Sequence, residues 1–325
     1  MNKCKEFVGI DISKDTFDVC YSDYRHQQFS NDQKGFIAFV KELSQNTHCV
    51  MEQTGNYQKP LAIYLQDCGF IVSVVNPLVI KRFIQMNLRA TKTDKADAKH
   101  IMEYGRQFEP KEWKRSKKYI TECKQLRSLV VLYQKQSVAL KSQRHSFKIS
   151  GESSLGLIKL IDKEINQLGK KIKELEKRME ELVKSHEQTM LTNISSIKGI
   201  AKRTAILLII HTNGFTDFES SKQLSAYFGL CPQIRQSGTS LMSRGNISKS
   251  GNKDLRKMMF MCALSASVYN KGCKDQFERL VAKGKCRKVA LIAVSNKLLK
   301  QALAVAKSGI PYDPEFVSKK GKKKL

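Results

Sequence analysis

The chain has 325 residues, 58 Lys and Arg against 30 Asp and Glu, a formal net charge of +28 and 41% hydrophobic residues. That length suits two or three domains, and the apolar fraction supports a packed core and excludes a disordered chain. No run approaches the roughly 18 apolar residues of a membrane span, and the first 15 residues turn acidic too early for a secretory leader.

Charge is unevenly placed. Residues 1–76 hold 7 basic and 9 acidic residues, whereas residues 77–325 hold 51 and 21, a net +30. This far exceeds the charge of roughly 2–8 that solubility asks of a small domain, and it favours a polyanionic partner, nucleic acid first. The nine Cys lie scattered, with no CxxC and no Cys/His pair at zinc spacing. They read as reduced thiols of a cytosolic protein.

In chain order, residues 7–12 and 16–21 are β-rich runs close enough for a hairpin. Residues 35–43 have helical spacing, 49–51 form a short strand ending at Glu52, 61–65 suggest a helix, and 70–75 form an apolar strand closed by Asn76-Pro77. A hairpin followed by alternating strands and helices predicts a mixed α/β sheet covered by helices. No proline occurs from 111 to 231, which permits long helices. There Ile158, Ile161, Ile165, Leu168, Ile172, Leu175, Met179 and Leu182 step alternately by three and four, the spacing of a two-stranded coiled coil. An upstream stripe, Leu126, Val130, Tyr133, Leu140 and Phe147, is interrupted by Ser137 and Arg144. The two stripes pack on each other within one chain, or the second pairs between chains. Residues 194–205 place a Gly turn between apolar helices, either a phosphate-binding helix-hairpin-helix, with Lys198 and Lys202 at the turn, or a plain αα-hairpin. Residues 318–325 form a basic tail.

Four acids stand in settings suited to phosphodiester chemistry, which needs carboxylates converging on hard divalent ions. Asp11 follows Gly9-Ile10 in the first strand. Glu52 ends a later strand, in Glu52-Gln53-Thr54-Gly55-Asn56-Tyr57. Asp94 and Asp97, in Lys92-Thr93-Asp94-Lys95-Ala96-Asp97-Ala98, share one helix face by their spacing of three. Taken singly, each is more often a turn or cap residue; in this order they match an RNase H-like site.

These three segments resemble the acidic motifs of the DEDD transposases of bacterial insertion sequences, relatives of the Piv DNA invertase with a RuvC-like nuclease fold. The segment Gln236-Ser237-Gly238-Thr239-Ser240, followed by residues 244–256, resembles that family's C-terminal transposase domain. The resemblance spans residues 6 to about 305. It implies an α/β plus α chain: an RNase H-like (RuvC-like) N-terminal domain over 1–110, a helical coiled-coil connector over 111–190, a helical C-terminal transposase domain over 191–310 and a basic tail over 311–325. It implies Mg²⁺ held by Asp11, Glu52, Asp94 and Asp97. It implies Ser237 as a nucleophile joined covalently to DNA, with Ser240 competing and Ser243, Ser248 and Ser250 behind. A structured noncoding guide RNA and a tetramer joining the acids of one chain to the serine of another are also implied.

Without the family, residues 235–251 read as a flexible basic loop touching phosphates. Arg235, Arg244, Lys249, Lys253 and Arg256 are the nucleic-acid candidates there, and no His or carboxylate adjoins the serines to take a proton. His48, His100, His145, His186 and His211 lack paired spacing and read as surface or core residues, and Trp113 and the aromatics from Tyr119 to Tyr133 as core. The expected protein is a DNA transposase in the bacterial cytoplasm, associated with the nucleoid, a homo-oligomer binding DNA and RNA and no membrane. The rivals are a junction nuclease without a covalent intermediate, a nucleic-acid-binding protein without activity, and an actin-like ATPase.

Overall fold

A computed structural model describes residues 6–87, 94–151, 154–233, 236–237, 241–242, 246–248 and 250–315, as two units divided after Arg115.

The first unit is built on a five-stranded sheet. Its strands are β1 (Glu6–Ile12), β2 (Thr16–Cys20), β3 (His26–Ser30), β4 (Thr47–Glu52) and β5 (Ile71–Val75), ordered β3-β2-β1-β4-β5. β1, β2 and β3 form an antiparallel meander, and β1, β4 and β5 run parallel. The strands alternate faces, as their period of two requires. Val8, Ile10, Ile12, Phe17, Val19, Cys49 and Met51 pack on one side with Phe36 and Phe39 of α1 (Gln33–Lys41) and Leu61 and Leu65 of α2 (Gln58–Asp67). Phe7, Cys20, Val50 and Val75 pack on the other with Ile80 of α3 (Pro77–Met86) and Ala98, Ile101 and Met102 of α4 (Asp94–Phe108).

The sequence pattern anticipates β1, β2, β4, β5, α1 and α2 to within a few residues and omits β3 and α3. β3 is polar, His-Gln-Gln-Phe-Ser, with only Phe29 buried. It sits at a sheet edge and lacks the apolar alternation that marks a strand. α3 begins with Pro77 at its first turn behind Asn76, whose side chain accepts from the Leu78 N–H. Asn-Pro is thus a helix start here, as well as a strand end.

The second unit is mostly helical. α5 (Lys118–Ser150) and α6 (Leu155–Ser195) form an antiparallel pair. Glu122 meets Arg178, Tyr133 meets Lys171 and Arg144 meets Asp162, so partners advance on one helix as they retreat on the other. Ile161, Leu168 and Met179 of the heptad stripe are buried, and Ile172, Leu175 and Leu182 pack against the same core as Leu126 and Val130. The coiled-coil seam is therefore satisfied within one chain. Arg144, an interruption of the α5 stripe, finds Asp162.

α6 breaks its helical dihedrals at Glu187, which accepts from Lys117 Nζ at 2.7 Å and Tyr119 Oη at 2.9 Å. Beyond it α7 (Lys202–His211), α8 (Ser221–Tyr227), α9 (Lys253–Tyr269), α10 (Lys271–Ala282) and α11 (Arg287–Ser308) enclose the larger core. Gly199 makes the turn from α6 to α7 at φ +102°, and a Cβ there would meet the Ala266 Cβ at 2.6 Å. α11 is long and apolar enough to cross a membrane by length and composition, which no apolar run in the sequence suggested. Its Leu291, Val294, Leu298, Leu299 and Ala302 are instead buried in this core, and Lys297 and Lys300 interrupt it.

Candidate functional site

Asp11, Glu52 and Asp97 are set toward one face of the first sheet. β1 and β4 are parallel with Ile10 beside Met51, so Asp11 and Glu52 stand one residue further on, side by side. Ile10 and Met51 face α1 and α2, which turns the two acids toward the α4 side. α4 carries Asp97 and lies against β1 and β2. Burial pushes the Glu52 carboxyl above its ordinary value, and repulsion from the Asp97 carboxylate pushes it the same way. Asp94 opens α4; its side chain, like Lys92 and Thr93, lies outside the described residues.

Gly9 sets how closely α4 approaches. A Cβ at this position would sit 2.2 Å from the Ala98 carbonyl oxygen and 2.2 Å from the Met102 nitrogen. Gly105 repeats the device toward Val50, whose Cγ2 would be 2.7 Å away. Two glycines thus let the acid-bearing helix lie on the acid-bearing strands.

Asp18 is an acid the sequence reading missed. It is directly across from Asp11 in the β1–β2 register and is buried. Its two oxygens contact His26 Nε2 at 2.9 Å and Gln28 Nε2 at 3.1 Å. The signal was an acid inside an apolar alternating run, but its partners lie on the unanticipated β3. Among the described residues no three His, Cys, Asp or Glu side chains stand together as a metal site. The donor set nevertheless fits a hard cation: oxygen ligands, crowded until Glu52 resists ionising.

The serine segment forms small ladders in the second unit. β6 (Pro232–Gln233) pairs with β9 (Asn246–Ile247), and β7 (Gln236–Ser237) with β8 (Leu241–Met242). Ser237 pairs with Leu241 in the β7–β8 register. Arg235, Ser240, Ser243, Arg244 and Lys249 lie outside the described residues. Ser248 is anchored by its N–H to the Cys231 carbonyl, and Ser250 is exposed. Lys253 is exposed at the start of α9, behind Asn252, which caps Asp254 and Leu255. Arg256 is partly buried and donates to the Phe228 carbonyl at 3.4 Å, a tie between α8 and α9. At the α6–α7 turn, Lys198 is exposed and Lys202 pairs with Glu180 at 2.5 Å. The basic tail from 318 lies outside the described residues.

The histidines divide as surface and core residues. His48 is buried with Nε2 2.8 Å from Ser73 Oγ, and His100 is buried in α4. His145 is exposed, and His186 stacks on Tyr119 with centroids 4.3 Å apart. Burial, with Lys124 and Arg127 nearby, pushes His211 down to about 4. Trp113 packs at the first core and its N–H bonds the Val72 carbonyl at 2.7 Å.

Residues 8–148 match a family described as a DEDD transposase of IS110 type, and residues 191–278 match one described as Transposase IS116/IS110/IS902 family. The pilin gene-inverting proteins of Moraxella bovis and Moraxella lacunata are each 30% identical over 95% of this chain and 98% of their own. An insertion element IS110 protein of Streptomyces coelicolor is 27% identical over 37% of this chain and 29% of its own length. The DEDD match points to a divalent metal, in keeping with the crowded acids. With both transposase domains in order and relatives alike from end to end, this chain is an enzyme of DNA recombination and belongs to the IS110 family of insertion-element transposases.

Proposed function

We propose that the chain cuts and rejoins DNA with an RNase H-like (RuvC-like) acid centre and a serine nucleophile. The observation that carries this reading is the placement of Asp11, Glu52 and Asp97 toward one sheet face, with Asp94 opening the helix that bears Asp97. These four acids would hold Mg²⁺, which when bound neutralises charge on the phosphoryl oxygens. The Ser237 oxygen attacks phosphorus and loses its proton. One phosphodiester bond breaks, and the departing strand-end oxygen takes up a proton. Attack by another strand-end hydroxyl on the phosphoserine reverses these changes, so the bond energy is kept for rejoining.

The reading has three further parts, each proposed on the family resemblance: a structured noncoding RNA as guide, a tetramer in which acid and serine come from different chains, and action at the nucleoid in the cytoplasm. The deciding experiment incubates the protein with its cognate nucleic acids and looks for a DNA adduct on a serine. Ser237→Ala is expected to bind normally, form no adduct and give no recombinant. An adduct on Ser240 would move the nucleophile. Cleavage with free ends and no adduct in the native protein would make the chain a nuclease of the junction-resolving kind.

A further inference from the structure

α5, α6 and α7 enclose a cleft of about 260 Å³ in the second unit. Its basic side chains are Arg127, Lys173, Lys177 and Arg203; its acids are Glu176 and Glu180. Both acids are already engaged. Glu176 pairs with Arg203, and Glu180 pairs with Lys184 and Lys202. Arg127 is partly buried, and among the described residues no carboxylate or carbonyl bonds its guanidinium. Asp254 and Glu176 act on it only through the field, while Arg203 repels it. Met179, Ile206 and Leu207 line the rest of the cleft. The α7 N-terminus also opens beside it, with Ala201 supplying no side-chain cap.

A partly desolvated guanidinium without a counterion is costly unless an anion completes it. The fork of Arg suits the paired oxygens of a phosphate. A second observation indicates a polymer rather than a free ion. Lys159, Lys163, Lys170, Lys173 and Lys177 are all exposed on one face of α6, at steps of three, four or seven. They form a ridge of roughly 27 Å at 1.5 Å per residue, which runs into the cleft.

We propose that this cleft is a seat for a nucleic-acid backbone, with Arg127 forking one phosphate and the α6 lysines carrying the strand onward. The proposal rests on the reading that the chain acts on nucleic acid, and it adds a place of contact apart from the acid face and the serine hairpin. The test uses the full-length protein with a mixed-sequence duplex DNA and, separately, a hairpin RNA, following fluorescence anisotropy across a salt series. Arg127→Met should weaken binding roughly tenfold and reduce the log–log salt slope by about 0.9 on duplex, one phosphate contact. Its melting temperature should hold or rise, because a desolvated unpaired cation has gone. Arg127→Lys should restore the slope and only part of the affinity. Lys173→Gln with Lys177→Gln, both on the exposed rim, should lower affinity and slope even if Arg127→Met folds poorly. The arm that shows the loss identifies DNA or RNA as the occupant. Unchanged affinity and slope on both, for Arg127→Met and the rim pair, would overturn the seat, and so would a lower melting temperature with unchanged binding. If the seat fails while Ser237→Ala still abolishes the adduct, the recombinase reading stands; the converse pair of results separates them the other way.

Discussion

At the scale of single residues, the chemistry of the first unit is a matter of crowded negative charge. Glu52 is held above its ordinary value by burial and by Asp97. A carboxyl raised in the folded state binds more protons there than in the unfolded chain. Its contribution to stability is therefore full below the ordinary glutamate range and is lost as pH climbs through the raised value. Asp97→Asn removes one source of that rise. We expect the variant, free of metal, to melt no lower than the parent at neutral pH, with a shallower decline above pH 4.5, and to lose cleavage. Calorimetry across pH, with a strand-cleavage assay, checks both; full cleavage would remove Asp97 from the site. His211 has the opposite sign. Its folded value is lowered from 6.5 to about 4, so the folded state binds fewer protons between those limits. Stability is present above pH 6.5 and is lost as pH falls toward 4, by roughly 3 kcal/mol at 1.36 kcal/mol per unit. His211→Leu should flatten that part of the curve in urea titrations.

Between elements, the controlling contact is α4 on β1. Gly9 lies two residues before Asp11 on the same face, where a methyl would fall within 2.2 Å of the α4 backbone. Backbone cannot swing aside as a long side chain can, so Gly9→Ala must lift α4 or bend β1. Overpacking of this kind costs about 1–3 kcal/mol, and lifting α4 carries Asp97 away from Glu52. The expected outcome is a folded, less stable protein whose cleavage falls by more than its stability loss explains, read by urea titration beside single-turnover cleavage. The α5–α6 pair shows the same dependence on neighbours. Its heptads meet the requirement of a two-stranded coil, and the second strand is supplied from the same chain.

Across the whole molecule, charge separates from chemistry. The acids occupy the unit of residues 1–115, which holds 17 basic and 14 acidic residues, net +3, whereas residues 116–325 hold 41 and 16, net +25. Binding to duplex should accordingly fall steeply with salt, with a log–log slope of about −0.9 for each phosphate contacted. A flat dependence would reject the basic surface as the binding surface. Asp97→Asn should leave that slope nearly unchanged, because it removes no basic group, so binding and cutting are expected to come apart in one variant.

Much of this was legible in the residues alone. The order Asp11, Glu52, Asp94, Asp97, the short apolar runs of β1, β4 and β5, and the heptads of α6 are local patterns that a single segment carries within itself. The unequal charge is a property of composition. What only tertiary structure decided are the relations between segments distant in sequence. The partner of the α6 stripe was open until α5 was seen to occupy it. Gly9 read as part of a motif, and became a spacer only when α4 lay 2.2 Å from its missing methyl. Asp18 joined the acid face because antiparallel register puts it opposite Asp11, and β3, too polar to announce itself, supplies its partners. Arg127 sits in an ordinary amphipathic stretch; its lack of a counterion is visible only once α6 has spent its glutamates on α7 and on itself. Periodicity is a property of one segment, whereas close approach, register and charge pairing depend on which segments meet.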